Sequence, residues 1–335
     1  MVKLLFVGSL EDKRHQIYLK TFHDMSTKSS NIEQISWFDL LNLSEEEKNI
    51  LLTKITHVRL GSPWYETALK QTGILNSSDT SINKREEVDK KFEAITYSLE
   101  DMLSTQSFIN SPFSLRAMRN KQVTANLLKF ENIPHPDIFQ INNLDDLKEI
   151  SSMGTQLILK PKTGSMGVGI FTLEPNLNLY KLGGSTSGDV LVPLSEREKV
   201  LEELINQGNY LFQRRVDLDQ VNNKNYDVRY LCSYGDIIGY YARVSENSLA
   251  TNISLGSKLE KVLPIPKDNL AKAEKYVSSL GDFFKTNVYA VDVIFDKNSK
   301  EPYILELNAF PGIEGPTQLG INPYINEIKF LQSFK

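Results

Sequence analysis

The chain runs through short apolar stretches separated by longer amphipathic ones, and the rhythm changes twice. KLLFVGS at 3–9 reads as a buried strand closed by a glycine turn. EQISWFDLL (33–41) and ITHVRLGSP (55–63) read as the next strand-like segments, with helix or loop between them. That alternation predicts a small α/β lobe with a parallel sheet. Residues 84–104 then place Val88, Phe92, Ile95, Leu99 and Leu103 at helical spacing. Asn110-Ser111-Pro112 interrupts the pattern and marks a first boundary.

The second stretch opens with LRAMRNKQVTANLLKFENIPHPDIF, helical until its prolines stop it. TQLILKPK and GIFTLEP are two strands flanking a glycine-rich loop, and LGGSTSG (182–188) is a surface loop. From about 210 the chain becomes strand-rich: NYLFQRRV, YDVRYLCSY, DIIGYYARV, NVYAVDVIFD and EPYILELNAF, divided by a helix over 268–284. These changes predict an α/β (α+β) protein of three lobes, at 1–108, 109–208 and 209–335.

Composition narrows the class. With 38 basic and 42 acidic residues the net charge is −4, which argues against a nucleic-acid protein. The N-terminal apolar run is far shorter than the ~20 residues of a membrane span, so a cytoplasmic protein without a membrane partner is expected. The single cysteine, Cys232, sits in a strand-like run and reads as a buried structural thiol. His15, His23, His57 and His135 show no metal-ligand spacing.

The glycine loop KPKTGSMGVG is followed by a β-branched, aromatic segment, so it is the tip of a hairpin and neither a P-loop nor a dinucleotide fingerprint. Amides at such a tip can lie over phosphates; a bare structural turn is the alternative. VYAVDVIFDKNSKEPYILELNAFPG (288–312) reads as two strands around a polar turn. Centred on Ser299, that hairpin pairs Asp292 with Glu306 and puts Asn308 on the same face. Two carboxylates meeting with no lysine or arginine between them call for a cation, and hard oxygen ligands suit Mg²⁺ shared with nucleotide phosphates.

The ordered set RNK, LILKPKTGSMGVG, YDVRYL, YYARV, TNISLG, AVDVIFD and LELNAFPGIEG resembles the ATP-grasp superfamily, and within it the ribosomal-protein glutamate ligases and bacterial glutathione synthetases. The resemblance covers roughly 108–330. It implies the ATP-grasp fold, with two α+β lobes gripping ATP behind the small parallel lobe. It implies that Lys121 and Lys160 contact phosphates, with Lys162 beside them, although from its local sequence alone Lys121 reads as a solvent-exposed helix lysine and only its place relative to Lys160 favours the phosphate role. Gly164, Ser165, Met166, Gly167 and Gly169 would cover the phosphates. Gln213, Arg214 and Val216 would line the adenine hinge, with Asp217 or Asp219 on the ribose.

Asp292, Glu306 and Asn308 match the family's magnesium ligands, with two ions expected and Mn²⁺ able to substitute. Arg243 matches the arginine that stabilises the transferring phosphate, Arg229 lies near the same site, and either could instead pair a sheet carboxylate. Asn252 matches an acceptor-loop asparagine, and Arg59 and Ser257 are substrate candidates, with Trp64 and Tyr65 near the same mouth. The chemistry implied is ATP-dependent carboxylate–amine ligation through an acylphosphate, on small acids and amines or on a peptide or protein acceptor. A kinase of another acceptor and a nucleotide-binding protein without turnover are the alternatives, and a homo-oligomer fits the related ligases. On this reading Asp292→Ala or Glu306→Ala abolishes turnover and leaves the fold intact.

Overall fold

The structure is a computed structural model that describes residues 3–9, 11–25, 31–62, 82–102, 108–163, 169–182, 189–245, 251, 257–260, 265–284 and 287–333. Three sheets organise it. The first is parallel, β2 (Asn31–Ile35), β1 (Lys3–Val7), β3 (His57–Leu60), with β1 central. Leu4 to Val7 are all buried, as a central parallel strand with both faces covered should be. Alternate side chains go to opposite faces. Leu4 and Phe6 join Tyr18 and Phe22 of α1 (Lys13–Met25) and Ile328 and Leu331 of the last helix, α12 (Tyr324–Ser333). Leu5 and Val7 join Trp37 and Leu40 of α2 (Trp37–Asn42), Leu52 of α3 (Glu45–Thr53), and Phe92 and Leu99 of α4 (Ile82–Met102).

One local expectation is corrected here. EQISWFDLL is not a single extended segment: the strand ends at Ile35 and WFDLL is helix. The switch is made by Ser36, whose hydroxyl accepts the Asp39 N–H at 2.9 Å and caps α2. A capping box between Ser44 and Glu47 starts α3 in the same way.

Asn110 closes the first sheet's open edge. Its side chain takes the Leu60 N–H at 2.8 Å and gives to the Leu60 carbonyl at 2.6 Å, satisfying both groups of a buried edge residue. α5 (Pro112–Arg119) and α6 (Lys121–Phe130) then lead into a six-stranded antiparallel sheet. Its order is β4 (Ile138–Phe139), β9 (Tyr210–Arg214), β5 (Leu157–Pro161), β6 (Phe171–Leu173), β7 (Leu179–Lys181), β8 (Val190–Leu191). β5 and β6 pair antiparallel, so the glycine segment joins two adjacent strands. Leu157, Leu159, Leu173 and Phe212 pack with Leu147 of α7 (Leu144–Ser152) and Leu201 and Leu204 of α8 (Leu194–Asn206).

The third sheet is antiparallel, in the order β13 (Lys258–Glu260), β12 (Asp236–Ser245), β11 (Lys224–Ser233), β14 (Val288–Phe295), β15 (Pro302–Asn308), with β10 (Gln220–Val221) on β11. Every residue of β14 is buried. Val291, Val293, Phe295 and Leu307 belong to the same apolar cluster as Leu115 and Met118 of α5, Leu128 of α6, and Ala273 and Val277 of α9 (Lys267–Ser279). Two short helices, α10 (Gly281–Phe284) and α11 (Glu314–Gln318), complete the described chain. No helix among the described residues is long and apolar enough to cross a membrane.

Candidate active site

The hairpin of β14 and β15 pairs Asp292 with Glu306 and Ala290 with Asn308, as the turn-centred register requires. The register then slips between Asp292 and Val293, so that Val293 faces Ile304 and Leu305 is the extra residue. A bulge re-aims the side chains beside it, and here Leu305 and Glu306 both line a cleft between the second and third sheets. Its other walls include Lys121, Thr124, His135, Lys160 and Gln213. A backbone bond from Ile304 N to the Pro134 carbonyl, 2.9 Å, fastens the proline turn to β15.

Each lysine is placed by a different device. Asn120 caps α6 by accepting the Gln122 and Val123 N–H groups, and the Lys121 N–H donates to the Lys162 carbonyl at 2.8 Å. Lys160 projects from β5 and is 5% exposed. Burial lowers its pKa to about 8, with Glu306 opposing the shift and Lys121 adding to it. Lys162 stands apart, giving its ammonium to the Gly208 carbonyl at 2.6 Å. The cleft thus holds two cations facing one half-buried carboxylate, an arrangement that a polyanion would complete.

The arginines behave differently. Arg229 and Asp292 are register partners across β11 and β14, and the guanidinium forks the carboxylate through Nε and Nη2, both at 2.6 Å. Arg243 forks Asp227, its partner across β11 and β12, and reaches Asp292 Oδ2 at 2.9 Å. Thr251 Oγ1 donates to Asp227 at 2.6 Å. Two arginines and two aspartates therefore form a buried, charge-balanced quartet. Burial opposes the Asp292 charge, yet Arg229 and then Arg243 hold its carboxyl well below the usual carboxylate range. The expectation that no cation lies beside the Asp292–Glu306 pair is corrected: the neighbouring strand β11 supplies Arg229, and β12 supplies Arg243.

The donor set fits a hard divalent cation. Among the described residues, Asp292 Oδ2 accepts from Arg229, Arg243 and Asn308, while Oδ1 accepts from Arg229, and a carboxylate offers about four lone-pair sites. Asn308 directs its amide nitrogen toward both acids, 3.1 Å from Asp292 and 3.5 Å from Glu306. The amide thus lies where negative potential converges. No group of three or more His, Cys, Asp or Glu that could by itself hold a metal ion occurs among the described residues. Two carboxylates and an amide oxygen suit an ion that shares its sphere with phosphate oxygens.

Other expected residues are scattered more widely. Gln213 is buried and points its amide at the Pro136 carbonyl, 3.4 Å away. Arg214 instead turns outward to an exposed ion pair with Asp137, because it alternates with Gln213 along β9. Val216 is half-buried and Asp217 exposed. Asp219 is engaged by Lys300 at 2.6 Å and Tyr226 at 3.0 Å. Gly169 has φ 74° and takes the Tyr210 hydroxyl on its carbonyl at 3.1 Å. Gly164, Ser165, Met166, Gly167, Asn252, Trp64, Tyr65 and residues 183–188 lie outside the described residues.

Arg59 is held by another side chain. Its guanidinium pairs with Glu327 of α12 beneath the rings of Phe6, Tyr18 and Tyr324, 4.3–5.0 Å from their centroids. The apolar box removes its neighbours' solvent, and the buried carboxylate takes the charge a substrate would need. Ser257 is buried with a hydroxyl that finds no partner. Cys232 is buried beside Tyr289, and burial pushes its thiol up to about 12. His135 and Asp227 were invisible as site residues. The P-H-P context of one and the D-x-R spacing of the other were the only signals.

A parallel three-stranded sheet, two antiparallel sheets and lysines facing carboxylates across their cleft define the ATP-grasp architecture. The chain belongs to the YheC/D-like ATP-grasp family, whose model matches residues 107–323. It is similar to D-alanine–D-alanine ligase of Clostridium botulinum (strain 657 / Type Ba4), 23% identical over 251 residues, 69% of this chain and 76% of that protein. It is also similar to tetrahydromethanopterin:alpha-L-glutamate ligase of Methanocaldococcus jannaschii, 23% identical over 61% of this chain and 62% of that protein. Among solved structures, the ATP-grasp ligase PsnB with a phosphomimetic variant of its minimal precursor, Mg and ADP aligns at TM-score 0.57 and 16% identity, over 99% and 98% of the two chains.

Proposed function

We propose that this protein is an ATP-dependent carboxylate–amine ligase. The observation that carries the reading is the cleft in which Lys121 and Lys160 face Glu306, with Asp292 and Asn308 on the same strand pair. ATP would be the nucleotide, with Lys121 and Lys160 to hold its phosphates and Gln213 to line the place of its base. Asp292, Glu306 and Asn308 would hold Mg²⁺, which would supply charge neutralisation on the transferring phosphate.

The protein's own groups do the rest by position. Lys160 is desolvated, so a phosphate oxygen at its ammonium replaces water with a strong, charge-assisted hydrogen bond. Arg243 and Arg229 are held by Asp227 and Asp292, so this charge-balanced quartet would fix the wall behind the reacting phosphate without needing to reorganise. A substrate carboxylate oxygen forms a bond to the γ-phosphorus as the bond to ADP breaks. An amine then forms the C–N bond, phosphate leaves with the C–O electron pair, and the amine's proton passes to solvent or phosphate. No covalent enzyme nucleophile is required, in keeping with the buried Cys232. Orientation of bound reactants contributes about 7–11 kcal/mol in such chemistry.

Small acids and amines, or a peptide acceptor, are the substrate classes this reading admits. It also carries two divalent ions with Mn²⁺ able to replace Mg²⁺, a cytoplasmic setting and a homo-oligomer. Its lobes divide near 108 and near 208, and β9, which opens the third segment, hydrogen-bonds to β5 of the second. The test is ADP release from MgATP across a matrix of amino acids and carboxylates, with Glu306→Ala as blank. ADP release that needs both an acid and an amine, with hydroxylamine diverting the acid to a hydroxamate, supports ligation. Phosphorylated acceptor without amide refutes it.

A further inference from the structure

Asp292 is the middle residue of a row that crosses three strands. Arg229 of β11 is its register partner on one side and Glu306 of β15 on the other. Asp292 is fully buried and Arg229 is 9% exposed, whereas Glu306 is half-buried. A carboxylate shut away from water has to find its counter-charge inside the protein.

Asp292 finds it chiefly in Arg229. Nε lies 2.6 Å from Oδ1 and Nη2 lies 2.6 Å from Oδ2, so one planar guanidinium engages both oxygens. Arg243 reaches Oδ2 at 2.9 Å, and the Asn308 amide nitrogen donates to the same oxygen at 3.1 Å. Every one of these groups presents positive charge or the positive end of a dipole. Arg243 has a second acid, Asp227, which Thr251 also holds. Among the described residues, Asp292 is the one carboxylate that Arg229 pairs with.

The surrounding charges have the same sign. Lys121 and Lys160 share the cleft with Glu306, and the quartet stands on the strands beside it. Four cations are thus set against three carboxylates. A bare divalent cation approaching Asp292 and Glu306 meets a positive excess, and at Asp292 a guanidinium that uses the same lone pairs. A polyphosphate reverses that balance, because it brings several negative charges and hard oxygen ligands of its own.

We infer that Arg229 is a positioning residue that makes divalent-cation binding at Asp292, Glu306 and Asn308 conditional on nucleotide. By neutralising Asp292 it turns away the bare ion and admits the ion only in company with a polyphosphate. The inference rests on the metal assignment of the ligase reading. It gives the arginine a role in the free protein, before any phosphate has arrived.

The experiment is equilibrium dialysis of Mn²⁺ against the full chain, with and without ADP. The wild type should retain the ion only when ADP is present. Arg229→Gln removes the charge and keeps a polar side chain, and should bind Mn²⁺ without nucleotide about tenfold more tightly than the wild type, as loss of a nearby like charge predicts. Adding Glu306→Gln to that variant should abolish the gain, which places the ion at the hairpin. Arg229→Lys keeps the charge and should refuse the bare ion as the wild type does. Mn²⁺ alone should also raise the thermal midpoint of Arg229→Gln and leave that of the wild type unmoved. Nucleotide-free retention by the wild type overturns the inference. So does a Gln variant with no gain, a gain that survives Glu306→Gln, or equal retention by the Gln and Lys variants. In each of these cases ADP-dependent retention by the wild type leaves the ligase reading standing. If Arg229→Gln does not fold, the wild type's response to the bare ion decides alone. A wild type that retains Mn²⁺ neither alone nor with ADP sinks the metal reading itself, and the inference with it.

Discussion

The two acids of the hairpin sit opposite one another and live in different electrostatic worlds. Asp292 is fully buried, forked by Arg229 and touched by Arg243, within a quartet whose charges cancel. Glu306, its register partner, is half-buried and faces two lysines, one of them desolvated to a pKa of about 8. The arginine side is closed and satisfied. The lysine side is open and has more positive than negative charge. Equivalent residue types on one sheet face thus divide into a group that holds the structure and a group that awaits a ligand.

Replacing the two acids separates these roles most sharply. Asp292→Ala leaves two buried guanidinium groups sharing Asp227 alone, and removing one member of a buried charge network costs about 3–5 kcal/mol. We expect the urea midpoint to fall accordingly, which revises the expectation that this variant keeps an intact fold. Glu306→Ala should lower turnover by roughly a thousandfold, the scale of losing one preorganised electrostatic group, with stability changed by less than about 0.5 kcal/mol. Equal destabilisation by both variants would erase the distinction.

The pH dependence of nucleotide binding comes next in size. Lys160 has a folded pKa below its ordinary 10.5, so between pH 8 and 10.5 the unfolded chain binds more protons and the folded state gains stability as pH rises. Nucleotide affinity runs the other way, because the phosphates need the charged form. ATP affinity measured calorimetrically should fall roughly tenfold from pH 7 to pH 9, the change in charged fraction around a pKa near 8. Lys160→Arg, charged throughout, should flatten that slope. An unchanged slope in the variant would assign the titration elsewhere.

How much of this was legible in the sequence follows the range of the forces involved. The glycine hairpin and the Asp292–Glu306 pairing were readable because strand alternation and turn length are local. The bulge at Leu305 was not, since nothing in YILELN marks which residue is extra. WFDLL was misread because its apolar content resembles a strand, while one serine hydroxyl decides for helix. The arginine quartet and the Arg59–Glu327 pair, 268 residues apart in the chain, depend on which strands and helices become neighbours. Spacing within a motif carries no record of that.

The smallest expected effect bears on the closed side. Thr251 donates to Asp227, which Arg243 still forks when the hydroxyl is gone. Valine has nearly the same shape, so Thr251→Val removes one hydrogen bond and little packing. The net loss should be about 1 kcal/mol, seen as a modest drop in urea midpoint. If the quartet is a self-contained unit, ATP affinity and its pH slope stay where they were, because the lysine cleft draws its charge from Lys121, Lys160 and Glu306. A variant with wild-type stability and weakened ATP binding would show the reverse. It would mean that the Arg243–Asp227 fork answers to the ligand and that the two sides of the hairpin act as one site.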